Sequence, residues 1–268
     1  MKIPNEVVEI ELTTACTRNC WFCRPHLTEE DLNRPVLLSR ERHHSLMLDL
    51  AELKYNRWIV YCGTGEPTMH PDLVYFVNEA REMVPEASIC LTTNGDLLTV
   101  ELLKSLLTLD SICWDCYEDD ETSIRVPHVV KESGYPPELF AVIDAVNFHP
   151  CEWNSRAGSG WISPLAANAI DKPCGQPTRK IFMSARGKFS LCCNDAKRRM
   201  TWDCSLPELL ANPEYTQARD DVLKGNRKPY EPCRQCEFVG VPPSWPREGL
   251  VYFLTPIDKT RFWNEETT

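Results

Sequence analysis

The run Val7-Val8-Glu9-Ile10-Glu11-Leu12-Thr13-Thr14-Ala15-Cys16-Thr17-Arg18-Asn19-Cys20-Trp21-Phe22-Cys23 passes from a short strand into a loop carrying three cysteines. Val7 to Leu12 alternates in part between apolar and polar residues, as a strand does. The cysteines then follow with C-x3-C-x2-C spacing. Three thiolates on one short loop can hold three irons of a [4Fe–4S] cube. Such cubes ordinarily take four cysteines, so a triplet leaves one iron open to another ligand.

The strand-then-loop pattern recurs downstream. Leu46 to Lys54 reads as a helix with an apolar stripe, and Trp58 to Cys62 as an apolar strand ending in Gly63-Thr64-Gly65-Glu66-Pro67. His70-Pro71-Asp72 starts a helix through Met83, with Pro71 suited to an early helical position. Ser88 to Thr93 is a third strand closed by Asn94-Gly95; Val100 to Leu107 is a helix; Ser111 to Asp115 is a fourth strand. Strands alternating with helices predict a parallel sheet. Functional residues then belong at the carboxyl ends of the strands. The cysteine loop, Gly63–Pro67, Thr93–Gly95 and Asp115 all fall there.

After residue 117, Glu118-Asp119-Asp120-Glu121 reads as a solvated acidic loop. Val126 to Val130 and Ala145 to His149 read as two further strands, with a short helix near Pro137 to Ile143 between them. Six strands are too few for an eight-stranded barrel. The expected fold is α/β, an open, partial (β/α)6 barrel over residues 1–152.

From about Trp153 the composition shifts. Lys180 to Ser184 and Lys188 to Cys192 read as a β-hairpin around Gly187. Leu206 to Leu223 reads as one or two helices, with Pro213 a break or restart. Residues 153–240 are therefore expected to form a small C-terminal hairpin-plus-helix domain, and 241–268 a tail rich in Pro, Trp and Phe. The hairpin and the later Cys233-Arg-Gln-Cys236 pair can bring together Cys174, Cys192, Cys233 and Cys236. Four sulfurs suit zinc or an iron–sulfur cluster, and spacing alone leaves both open. Cys193 faces away from Cys192 if that strand continues, and Cys204 is a substitute ligand.

The chain has 14 cysteines among 268 residues and shows no secretory signal, so the cytosol is the expected compartment. In that compartment cysteines favour metal binding or catalysis over disulfides. The net charge of −10 disfavours a nucleic-acid partner; Lys197-Arg198-Arg199 is read as a solvated loop. The sequence has no apolar run long enough to span a membrane. Cys62, Cys90 and Cys151 read as packed small hydrophobes. Cys113 and Cys116 have redox-motif spacing, but on a strand they point to opposite faces. His149 reads as a satisfied core or loop histidine.

The triplet with an aromatic just before its last cysteine resembles the radical S-adenosylmethionine (SAM) enzymes. The resemblance implies a cluster on Cys16, Cys20 and Cys23 whose open iron is chelated by SAM, with Phe22 stacking nearby. Thr64-Gly65-Glu66-Pro67 is similar to the family's G-G-E-P motif, with Thr in place of the first Gly. It implies cofactor contacts at Thr64, Gly65 and Glu66, as Thr93 and Asn94 resemble positions near the ribose and methionyl parts. Cys174, Cys192, Cys233 and Cys236 are similar to the truncated SPASM ("twitch") pattern, implying a second, auxiliary [4Fe–4S] cluster. The layout is similar to short members that dehydrogenate an alcohol of a small molecule. There a 5′-deoxyadenosyl radical takes a carbon-bound hydrogen and the auxiliary cluster takes an electron. Asn154-Ser-Arg-Ala-Gly158 is similar to a segment of some such enzymes, implying a substrate or inter-cluster role for Arg156, or else a structural salt bridge. The resemblance further implies a small-molecule substrate and a flavodoxin- or ferredoxin-type electron donor. Epimerisation, with Cys113, Cys116 or Cys151 as hydrogen donor, and peptide maturation are its alternatives. Outside the family, a zinc-ribbon binding protein is the non-enzyme alternative.

Overall fold

A computed structural model describes residues 6–20, 34–117, 121–144 and 169–237. Strands β1 (Val7–Ile10), β2 (Trp58–Tyr61), β3 (Ser88–Thr93), β4 (Ser111–Cys116) and β5 (Phe140–Asp144) are parallel and lie side by side in chain order. Helices α1 (Arg40–Glu52), α2 (Leu73–Met83), α3 (Val100–Ser105) and α4 (Glu121–Ser133) connect them. Each crossover steps to the next neighbour without reversing. That is the winding of a β/α barrel, whereas a doubly wound sheet reverses its order. The sheet stays open, with β5 and β8 (Thr201–Trp202) at its edges. The expected partial barrel is therefore the fold.

The two-residue strand period sorts the side chains. Val8, Ile10, Ile59, Tyr61, Ile89, Leu91, Ile112 and Trp114 join Leu46, Leu50, Phe76, Val77, Leu103, Val126 and Val130 of the helices in the main core. The other face carries a smaller apolar cluster of Val7, Val60, Cys90 and Cys113. Within the main layer, the buried His43 lies with Nδ1 2.5 Å from Glu79 Oε2 and Nε2 2.9 Å from the Tyr61 hydroxyl. Burial outweighs the pull of Glu79 and holds the imidazole pKa down at about 4. No helix among the described residues is long and apolar enough to cross a membrane.

Two expected elements differ. Val126 to Val130 is part of helix α4, not a strand. Thr122, Val126, Val130 and Ser133 are its buried residues, a helical stripe that the β-branched valines and Pro127 disguise. Phe140 to Ile143, expected as the end of a short helix near Pro137 to Ile143, lies in strand β5. Ala145 to His149 lies outside the described residues.

The expected hairpin is present as β6 (Lys180–Met183) and β7 (Phe189–Ser190), turning at Gly187 with φ +73°. It does not stand apart from the barrel sheet. β6 pairs in parallel with the free side of β1, Val7 to Ile10 against Lys180 to Met183, and β7 and β8 continue outward. A Cβ at Gly187 would lie 2.6 Å from Arg42 Cγ. Arg42 in turn donates to the Gly187 and Cys204 carbonyls at 2.7 and 2.6 Å, pinning α1 to this region. Short helix α5 (Gln176–Arg179) precedes β6. Helices α6 (Leu206–Ala211) and α7 (Pro213–Leu223) are split at Asn212, whose side chain caps α7. The one-turn helix α8 (Glu231–Arg234) carries Cys233.

Candidate active site

The loops at the carboxyl ends of β1, β2, β3 and β4 converge on the cysteine loop. The Glu66 amide donates to the Ala15 carbonyl at 2.7 Å. A Cβ on Gly65 would lie 2.1 Å from the Thr13 carbonyl oxygen and 2.6 Å from that of Ala15. Only glycine lets the two loops touch there. The Glu66 carboxylate is buried and braces the site. Its Oε1 accepts from the Thr68 amide and hydroxyl and from the Thr93 hydroxyl, and its Oε2 accepts from the Asn94 amide. Burial nevertheless raises its pKa above the ordinary value. Oε2 accepts one hydrogen bond among these contacts and Oε1 three.

The cysteine loop is fastened from the other side by polar side chains. Asn94 Nδ2 donates to Thr17 Oγ1 at 3.0 Å and lies 3.7 Å from Cys16 Sγ. Asp96 accepts from Thr17 and, through both carboxylate oxygens, from Arg18. The Arg18 guanidinium sits 4.1 Å over the Tyr117 ring, whose hydroxyl is 3.6 Å from Cys20 Sγ. Cys16 is exposed and Cys20 half-buried. Phe22, Cys23 and Arg156 lie outside the described residues, as do His149 and Cys151.

Residues 10–113 match the model of the radical SAM superfamily. The part of the chain that holds the cysteine loop and the Gly63–Pro67 loop is thus similar to that superfamily. It is 22% identical over 240 residues to the S-adenosyl-L-methionine-dependent 2-deoxy-scyllo-inosamine dehydrogenase of Niallia circulans, covering 88% of this chain and 94% of that one. A shorter likeness, 30% over 103 residues, links it to the tungsten-containing aldehyde ferredoxin oxidoreductase cofactor-modifying protein of Pyrococcus furiosus, covering 37% of this chain and 27% of that one. Among solved structures, BtrN in complex with AdoMet and 2-DOIA superposes with TM-score 0.74 at 21% identity, over 90% of this chain and 96% of that one. The likeness to BtrN shows the fold over nearly the whole chain, and the match to the radical SAM superfamily covers its amino-terminal part. The superfamily brings SAM and a [4Fe–4S] cluster. The site suits them: an exposed thiol, a glycine-thin loop beside it, and a buried carboxylate braced between the strand-end loops.

The second group of cysteines lies across β1. Cys174, Cys233 and Cys236 are buried, and Cys192 is half-buried. They sense one another. The Cys192 thiol is pushed up chiefly by its hydrogen bond to Cys193, then by burial and by the neighbouring Cys193 and Cys174. Burial, with lesser contributions from Cys236 and Cys174, pushes Cys233 to about 12, against the opposing charge of Arg227. Thiols held neutral this strongly become thiolates when a metal centre displaces their protons, and soft sulfur donors select iron–sulfur or zinc. Among the described residues no three His, Cys, Asp or Glu side chains converge tightly enough for a single metal ion. A cube, with each thiolate on its own iron, spreads its ligands more widely. Cys193 lies against Cys192, because strand β7 ends at Ser190 before alternation can separate them. Burial pushes the Cys204 thiol up, with lesser effects from Glu208, Arg42, Asp203 and Asp49.

Cys116 needs correction. It is wholly buried in the sheet–helix core, one residue from Asp115 on the opposite face of β4, and so faces away from the site. Cys113, on the other face, lies 3.7 Å from Cys90. Glu11, Asp96 and Tyr117 were not read from the sequence as site residues. A signal existed for Glu11: period two sets Glu9 and Glu11 together on the helix-free face of an otherwise apolar strand.

Proposed function

We propose that this enzyme dehydrogenates an alcohol of a small, polar, polyol-like molecule. The observation that carries this is the likeness to the inosamine dehydrogenase, which runs through 94% of that enzyme rather than through the radical SAM domain alone. It therefore includes the region of the second cysteine group.

In this reading Cys16, Cys20 and Cys23 hold the cluster that binds SAM. Cys174, Cys192, Cys233 and Cys236 hold an auxiliary [4Fe–4S] cluster in a twitch-like part beginning near residue 153. When bound, these groups supply a hydrogen-abstracting radical and an acceptor for the electron left on the substrate. The chain's own contribution is placement. Thr64 to Glu66 shape one wall of the cofactor site, Asn94 approaches Cys16, and Glu66 Oε2 offers an acceptor to the methionyl ammonium. Arg156 is assigned to the substrate or to the space between the clusters. A flavodoxin- or ferredoxin-type protein supplies the electron, and the enzyme works in the cytoplasm.

Anaerobic reconstitution followed by iron and sulfide analysis tests the cluster assignment, with about eight irons per chain expected from two cubes. Incubating the reduced enzyme with SAM and a panel of aminocyclitols and sugars tests the reaction. One equivalent of ketone per 5′-deoxyadenosine supports it. An epimer or a modified peptide in place of ketone refutes it.

A further inference from the structure

We infer that Glu11 and Arg198 form a positioning bridge by which the auxiliary cysteine loop sets the geometry of the cofactor loop. The inference rests on the cofactor assignment above. Glu11 lies just past the end of β1, 2% exposed, between the two cysteine regions. Its Oε1 accepts from the Thr64 amide at 2.9 Å, the Thr64 hydroxyl at 2.5 Å and Arg198 Nη2 at 2.9 Å; its Oε2 accepts from the Ala185 amide at 3.1 Å. Burial works to raise this carboxyl, but the charge of Arg198 and the donors from Thr64 and Ala185 bring it below the ordinary value. It is a buried carboxylate held charged by one guanidinium.

That guanidinium reaches it from the loop that follows Cys192. The Asp195 amide donates to the Cys192 carbonyl at 3.0 Å, and the Asp195 carbonyl accepts from the Arg198 amide at 2.9 Å and from Arg198 Nη1 at 2.8 Å. Arg198 takes φ +54°, a left-handed conformation uncommon outside glycine, asparagine and aspartate. Its guanidinium lies 4.4 Å over the Phe182 ring of β6. An off-pattern backbone at a residue whose side chain crosses into another region points to function rather than to loop irregularity. At the far end, Thr64 stands where the similar family motif has glycine, and a glycine would lack the hydroxyl that bonds Glu11. The bridge therefore spans 187 positions of sequence and ends on Thr64, two residues before Glu66.

Removing the bridge should loosen the cofactor loop without emptying either cysteine site. The Thr64 amide is its direct reporter, because that N–H donates to Glu11. In reconstituted Arg198→Met and Glu11→Gln, SAM affinity measured by equilibrium dialysis is expected to fall about tenfold, or about 1.4 kcal/mol. Hydrogen exchange at residues 63–66 should quicken by a similar factor, while iron content stays at the wild-type value. The double variant should lose no more than either single one, since one interaction is removed twice. Arg198→Lys should recover most of the affinity. A merely structural role would lower the melting temperature and leave SAM affinity and the Thr64 amide unchanged, which would overturn the bridge, as would fully additive losses. If Arg198→Met does not fold, Thr64→Ser and Thr64→Gly read the same contact. Serine should keep the affinity and glycine weaken it; equal affinities would overturn the proposal. Failure of the wild-type enzyme to bind SAM would remove the cofactor assignment itself. Binding by the wild type with unaltered variants removes the bridge alone.

Discussion

The amino-terminal and carboxy-terminal cysteines lie on the two sides of β1 and are held by different means. Cys16 is exposed, on a loop fixed by Asn94, Asp96 and Tyr117 from other strand ends. Cys174, Cys233 and Cys236 are buried, with the Cys174 amide donating to the carbonyl of Val222 in α7 and Cys233 on α8. An exposed thiol on a laced loop leaves access for a ligand that comes and goes. Buried thiols with elevated pKa suit a centre that is installed once and stays. Under the proposed function, this contrast matches a cofactor consumed at each turnover beside a resident electron acceptor.

The largest effect should come from Cys16→Ala. Formation of 5′-deoxyadenosine is expected to fall at least about a thousandfold, or about 4 kcal/mol of barrier. The melting temperature should barely move, since exposed substitutions usually stay within about 0.5 kcal/mol. Full cleavage by this variant would erase the contrast.

Gly65→Ala forces a Cβ onto two backbone carbonyls, which cannot yield as a side chain can. A loss of about 2–4 kcal/mol in urea unfolding is expected, together with weakened SAM binding. An unchanged denaturation midpoint would mean that the two loops are not in contact.

Acid tests the layer that both regions share. His43 binds a proton in the unfolded chain near pH 6.5 but in the folded one only at about 4. The unfolded state therefore holds more protons between these values. Stability is full above about pH 6.5 and falls as pH drops towards 4, by about 3 kcal/mol. Urea titrations at several pH values check this, and His43→Gln should flatten that part of the profile. The two cysteine regions should melt together, because both hang from the same sheet.

Cys233→Ala should have a smaller effect on stability, about 1–2 kcal/mol. Iron should drop to about four per chain, the content of one cube, while 5′-deoxyadenosine still forms without ketone. Retention of all the iron would contradict the assignment of the buried group.

The parts of this picture that were legible in the sequence are the local ones. β1 to β4 follow from short apolar runs punctuated by glycine, asparagine and cysteine. Asn212-Pro213 marks the break between α6 and α7 because the asparagine caps and the proline starts a helix. Residues 121–144 misled because valine and proline disguise a four-residue stripe. Cys116 was misplaced because alternation separates it from Cys113 without saying which face meets the helices. The pairing of β6 with β1 and the Glu11–Arg198 contact join residues more than 170 positions apart. No local propensity encodes such partners; only the packed sheet selects them.

Because β1 is flanked on one side by β2 and on the other by β6, its second edge stays uncovered until residues 180–183 have left the ribosome. An unpaired strand edge is an invitation to pair with another chain. During synthesis the nascent amino-terminal half is thus exposed to aggregation. A fragment ending before residue 180 should be insoluble at concentrations where the longer chain is not.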